Sequence, residues 1–305
     1  METNSLPIGV FDSGVGGLTV AREILLNLPE EKIIYFGDTA RVPYGNKSKE
    51  TIIRYSRQIV RFLMSQGVKA ITVACNTASA LALETIQGEF DIPIIGVVEP
   101  GAVAAVKATL NHKIGVIGTS GTVSSGLYER YIHQIDPKAQ VYSKACPLFV
   151  HLVEEGMIDD PVTLIMIHRY LDELVHTHDI DSLILGCTHY PLLRDVIDNE
   201  INQSCRQDRE FNQFISMKMA EYEAPDTNDG HYFIPSAVKL VNPAYETAMA
   251  LKALLEEKGL AAPKGTQVSS HDHQYFVSDT PDSFRHFAEN VLDIKVDNVQ
   301  TKVLE

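Results

Sequence analysis

Short apolar runs rich in Ile and Val recur along this chain: PIGVFD, KIIYFGD, AITVAC, IPIIGVV, KIGVIGT, QVYSKAC, SLILGC and AVKLVN. A strand with one wet face alternates apolar and polar side chains; these runs seldom do, so both of their faces must be covered. Longer amphipathic stretches fall between them, among others at 18–28, 49–66, 78–87 and 162–176. Strand and helix in alternation define an α/β fold with mostly parallel sheets flanked by helices. Several runs end in a small or polar residue and then Gly, Thr or Ser, which is where ligands bind in such sheets.

The chain also repeats itself. IGVFDSG at 8–14 resembles IGVIGTSG at 114–121, and ITVACNT at 71–77 resembles LILGCTH at 183–189, in the same order. Two matched pairs imply two pseudo-symmetric domains with the site in the cleft between them. The expected division is 1–98 plus 235–305 for the first domain and 99–200 for the second. Residues 201–234 read as a polar insertion, helical near 211–223 with a loop at 224–231.

Composition removes several classes of function. A formal charge of −14, a pI near 5.2 and the lack of any Lys/Arg-rich run argue against nucleic acid. No apolar stretch is long enough to span a bilayer, and METNSLPIGVFDSG does not resemble a secretory signal. The four cysteines, Cys75, Cys146, Cys187 and Cys205, show no CxxC spacing. Such usage fits reduced thiols and a cytoplasmic protein.

Four segments offer chemistry. In FDSGVGGLTV, Asp12 and Ser13 sit at a strand tip before a helix; the glycine-rich turn is either a seat for an anion or a turn capped by its own polar side chains. DTARVPYGNKS presents Tyr44 and Gly45 in a turn-rich loop. ACNTASA puts Cys75 at a strand end, beside Asn76 and Thr77, where free helix N–H groups favour a thiolate. LILGCTHYPLL sets Cys187, Thr188 and His189 in the matching place. A zinc site drawn from Cys75, Cys187, His189 and Asp12 would need Cys-x-His to converge on one ion. A Cys–His nucleophile leaves the second thiol without a task. Two thiols from two related halves can instead remove a proton from one face of a stereocentre and return one to the other, with Asp12 and His189 as helpers in corresponding places. The pairs His176/His178 and His271/His273 read as exposed polar positions.

GVFDSGVGGLTV, YFGDTARVPYG, ACNTASALAL and LGCTHYPLL resemble the signature segments of the bacterial glutamate racemases. The resemblance runs from Ile8 to about Val196 and more loosely from Pro235, ending in HQYFVSDTPDSFRHFAENVL. It implies interconversion of L- and D-glutamate without metal, pyridoxal phosphate or other cofactor, with the D-isomer used in peptidoglycan. It implies Cys75 and Cys187 as the catalytic pair, assisted by Asp12 and His189. Asp12, Ser13, Tyr44, Gly45, Asn76, Thr77, Thr119, Glu154, Thr188 and His189 are implied as substrate contacts, and a homodimer as the assembly. The segment 201–234 is longer than the family usually shows, and LVNPAYETA replaces its usual Asp-Ser-Gly-type turn. Aspartate racemisation, metal-dependent hydrolysis and a non-catalytic redox or binding role are the competing functions.

Overall fold

The computed structural model describes residues 3–203, 237–292, 294 and 296–304. The expected helix and loop of the polar insertion lie outside the described residues. Each of the eight apolar runs contains a strand: β1 (Ile8–Asp12), β2 (Ile33–Gly37), β3 (Ala70–Val73), β4 (Ile94–Gly96), β5 (Lys113–Gly118), β6 (Gln140–Ala145), β7 (Ser182–Gly186) and β8 (Lys239–Val241). β9 (Gln274–Val277) and β10 (Val299–Thr301) follow. The helices that shape the site are α1 (Leu18–Asn27), α2 (Lys49–Ser65), α3 (Asn76–Leu81), α4 (Leu83–Glu89), α5 (Val98–Ala108), α6 (Ser120–Ser124), α7 (Leu127–Ile135) and α8 (Leu148–Glu154). Later come α9 (Pro161–Asp172), α10 (Arg194–Asp198), α11 (Pro243–Glu257) and α12 (Pro281–Val291).

Local signals set these boundaries. α2 starts where Ser48 Oγ accepts the Thr51 N–H at 3.3 Å, the usual N-cap bond. It ends just before Gly67, whose φ of +77° suits glycine. Between them Ile52, Ile59, Val60 and Leu63 lie buried along one stripe, each contributing roughly 1.5–3 kcal/mol by leaving water.

The strands form a six-stranded sheet, β10-β9-β2-β1-β3-β4, and a four-stranded sheet, β6-β5-β7-β8. Every strand pairing in them is parallel. β1, β2, β3 and β7 are buried at every residue, as their unbroken apolar runs require. The edge strand β6 is only partly covered. β8 departs from the expected division at residue 235: Lys239, Leu240 and Val241 pair with Ser182, Leu183 and Ile184 of the second sheet. α11 then packs on both α1 and α5, and the chain rejoins the first sheet only at β9. AVKLVN announces a strand, but nothing in its composition says which sheet edge it covers.

The two sheets share one plan, since β2-β1-β3-β4 and β6-β5-β7-β8 run in the same order. Ile8 pairs with Ala70 in one, and its repeat partner Ile114 pairs with Ser182 in the other. Cys75 lies five residues beyond Ala70 and Cys187 five beyond Ser182, so the register makes the two cysteines equivalent. Among the described residues no helix is long and apolar enough to cross a membrane.

Candidate active site

The carboxyl ends of the sheets meet at a cavity. From the first sheet come Ser13 after β1, then Cys75, Asn76 and Thr77 after β3; from the second come Thr119 after β5, then Cys187, Thr188 and His189 after β7. Tyr44 and Gly45 close one side, with Val42, Pro43 and Val150 as the apolar wall. The wall residues carry no chemistry of their own, and Val42 and Pro43 belong to the Tyr44 loop. The cavity is about 20 Å³, room for about one water. It is shut by bonds between the halves. Thr77 Oγ1 lies 2.8 Å from Thr119 Oγ1, the Gly121 N–H donates to Gly45 O at 2.9 Å, and Thr19 Oγ1 donates to Thr188 O at 3.3 Å. A molecule much larger than water fits only when these contacts part.

Cys75 is the N-cap of α3, and its Sγ accepts the Ala78 N–H at 3.5 Å while the thiol lies 3.6 Å from Ser13 Oγ. The helix start alone would favour a thiolate, but burial prevails, and with the charge of Asp12 it pushes the thiol up to about 12. Cys75 therefore holds its proton at neutral pH. Asp12 lies behind the cavity rather than in its wall. It is fully buried, and its Oδ2 accepts the N–H groups of Gly14 and Gly17, both at 3.0 Å. The glycine-rich turn thus spends its N–H groups on the protein's own Asp12 side chain rather than on a ligand. Among the described residues Oδ1 has no hydrogen-bond partner. Burial raises the Asp12 pKa, opposed by His189 and by the N–H groups of the turn.

The Cys187 side is built differently. His189 Nδ1 lies 3.8 Å from Cys187 Sγ, and Nε2 lies 3.1 Å from Glu154 Oε1. Burial works against the imidazolium, yet Cys187 and Glu154 together hold its pKa up to about 10. Cys187 thus faces a group that carries a proton and a positive charge. Glu154, expected to touch substrate, stands behind His189 at the end of α8 and is absent from the cavity wall. Asp12 and His189 are not in corresponding places either. The register sets Gly118 opposite Asp12 and Thr77 opposite His189, so the scaffold repeats while the helpers do not.

Tyr44 is fixed from outside the cavity: its hydroxyl donates to Asp38, which also takes the Ser278 hydroxyl at 2.8 Å and Arg41 Nε at 3.0 Å. Sequence reading passed over Asp38 as part of a turn. His273, expected to be exposed, is buried, and its Nδ1 accepts the Ile33 N–H at 3.3 Å. His178 stacks on Tyr142 with ring centroids 3.9 Å apart. Among the described residues no group of three His, Cys, Asp or Glu side chains is arranged to hold a metal ion.

Paired thiols at equivalent strand ends, with unlike proton environments, suit a catalyst of proton transfer at carbon. Residues 17–206 match the model of the Asp/Glu/hydantoin racemases. The chain belongs to that family, a family of isomerases. Within it the likeness is to glutamate racemases. That of Geobacter metallireducens is 43% identical over 298 residues, covering 98% of this chain and 97% of that protein. The crystal structure of a Bacillus anthracis glutamate racemase isoform matches with a TM-score of 0.82 at 38% identity, over 98% of each chain. That of the Francisella tularensis glutamate racemase in complex with D-glutamate matches with a TM-score of 0.81 at 34% identity, over 99% of each chain.

Proposed function

We propose that the protein interconverts L- and D-glutamate by a two-base mechanism, with Cys75 and Cys187 facing the α-carbon from opposite sides. The observation that carries this reading is the pair of register-equivalent thiols lining one cavity, one holding its proton and one beside an imidazolium. In one direction Cys187 acts as thiolate and takes the α-proton, with His189 balancing its charge, while Cys75 delivers its proton to the other face. In the reverse direction the roles exchange, and Asp12 assists Cys75. No cofactor takes part in either step. A thiol with a reference pKa of about 8.5 is a weak base for an α-hydrogen, so charge developing on the α-carboxylate must be stabilised by donors. Ser13, Asn76, Thr77, Thr188 and Thr119 line the cavity and supply them, with Tyr44 and Gly45 completing the contacts. Glutamate as substrate is supported by the likeness to a relative bound to D-glutamate. We place the enzyme in the cytoplasm as a homodimer, supplying D-glutamate for peptidoglycan.

The test is incubation of metal-stripped protein with L-glutamate in D2O, followed by circular dichroism and by NMR of the α-proton. Deuterium entering racemised product, abolished in Cys75→Ala and Cys187→Ala, supports the mechanism. Turnover of aspartate in place of glutamate would move the substrate, and silence with both would end the reading.

A further inference from the structure

Asn76 is the first residue of α3, next to Cys75, and its side chain is part of the cavity wall. Its Oδ1 accepts a 2.6 Å hydrogen bond from the hydroxyl of Tyr128, which belongs to α7 of the other half. Among the described residues no protein group accepts from Nδ2. An amide whose oxygen is already bound presents only donors to what lies in front of it. The residue lines the cavity and Nδ2 is not a sealed-off atom, so this donor is open to a ligand's negative oxygen.

Tyr128 itself is rigidly held. Its ring fits between Gly101 of α5 and Gly186, the last residue of β7 before Cys187. A Cβ on Gly101 would sit 3.3 Å from Tyr128 Cε1, and one on Gly186 would sit 3.1 Å from Cε2. Both are tight, so the slot is shaped for the ring only because glycine lines it. Burial, reinforced by nearby Cys187, raises the Tyr128 pKa, so the hydroxyl stays protonated and remains a donor.

We propose that Tyr128 is a positioning residue for racemisation: by holding Asn76 Oδ1 across the cleft, it turns the Nδ2 donors toward the α-carboxylate of the bound amino acid. Because the tyrosine and the asparagine belong to different halves, the donor is set only when the cleft is closed. The assignment rests on the racemase reading and deepens it, adding a residue that is absent from the cavity wall.

Tyr128→Phe keeps the ring in its slot and removes only the hydroxyl. Racemisation by this variant should show kcat/KM lowered about tenfold or more for both enantiomers, mainly through kcat. The decisive measurement is the cycle with Asn76→Ala. If Tyr128 acts through Asn76, adding Tyr128→Phe to Asn76→Ala costs less than about twofold more. α-Proton exchange followed by NMR over hours reads even the slow variants. Multiplicative losses would overturn the assignment, since a general structural defect adds independently of Asn76. Asn76→Asp offers a second route should Tyr128→Phe fold poorly. It keeps an acceptor for Tyr128 and removes the donor, so its kcat/KM must fall about tenfold or more, and wild-type activity there overturns the proposal. A wild-type enzyme that exchanges no α-proton overturns both readings. A wild type that exchanges and a Tyr128→Phe that matches it overturn only this one.

Discussion

Gly16 lies in the turn between β1 and α1, and its substitution by alanine is the sharpest probe of the Cys187 side. A Cβ there would stand 2.5 Å from Thr188 Oγ1 and 2.7 Å from both Cε1 and Nδ1 of His189. Neither neighbour is the loose end of a long side chain. Thr19 Oγ1 ties the turn to the second half by bonding Gly16 O at 2.9 Å and Thr188 O at 3.3 Å. Glu154 holds the far side of His189. Ordinary contact begins at 3.4 Å, so the turn and the imidazole must part by about 0.7 Å, and a misplacement near 1 Å can cost about 10²-fold in rate. The Cys187–His189 contact, at 3.8 Å, has little room to lengthen. Gly16→Ala should therefore lower kcat by about 10²-fold with KM changed by less than about threefold. It should also cost about 1–3 kcal/mol of stability as overpacking. Circular dichroism of glutamate measures the first and urea denaturation the second. Gly88→Ala is the control, since a Cβ there meets nothing within 4 Å. A folded Gly16→Ala enzyme with kcat within twofold of wild type would refute the claim that His189 must stay seated against Cys187.

Cys75 and Cys187 are similarly shielded, 5% and 7% exposed, so alkylation reads their proton environments. Iodoacetamide near neutral pH should modify Cys187 at least about tenfold faster than Cys75 by peptide mass spectrometry, and equal rates would contradict the asymmetry. His189 holds its proton to about pH 10 against 6.5 for the free group. Its folded value is the higher, so its contribution to stability is complete below pH 6.5 and is lost as the pH rises to 10. The basic limb of kcat/KM should fall in the same window and move to lower pH in Glu154→Gln; an unmoved limb would remove Glu154 from the charge balance. Lys69 and Glu31 form a buried pair at 2.5 Å, with side chains 0% and 5% exposed. Lys69→Met should cost about 3–5 kcal/mol in urea denaturation and Glu31→Leu should restore much of it; a loss under about 1 kcal/mol would show the pair to be hydrated.

The sequence shows strands more readily than it shows where they go. The eight Ile/Val runs each hold a strand because an unbroken apolar run has no stable place other than a covered sheet. β10 is only Val299–Thr301, two of its three residues exposed and none patterned, so periodicity had nothing to detect. β8 is legible as a strand and illegible as a member of the second sheet, because edge choice depends on surfaces remote in sequence. At the site, strand-end residues were found since the thiols and their polar neighbours follow apolar runs directly. Glu154, Asp38 and Tyr128 act from behind other residues, through bonds that span 35, 6 and 52 positions. Only for Asp38, six residues before Tyr44, does local sequence hint at such a link.

The broken symmetry of the helpers has a physical purpose under the two-base reading. A cavity with perfect twofold chemistry would give both thiols the same proton affinity. Their mutual repulsion would split the two ionisations and leave one proton shared between them, with neither thiol assigned as the base. A racemase needs one base and one acid at every instant. The repeated strand plan delivers the geometry, since equal register brings two thiols to one cavity. It cannot deliver the difference. That comes from Thr77 standing where the other half has His189, and from Gly118 standing where the other half has Asp12. Putting histidine at position 77 would restore symmetry and favour ionisation of Cys75 beside an imidazolium. Thr77→His should then raise the alkylation rate of Cys75 toward that of Cys187 and depress racemisation, although every thiol is still present. A Thr77→His enzyme that alkylates Cys75 faster yet racemises as fast as wild type would show that the proton imbalance is not required.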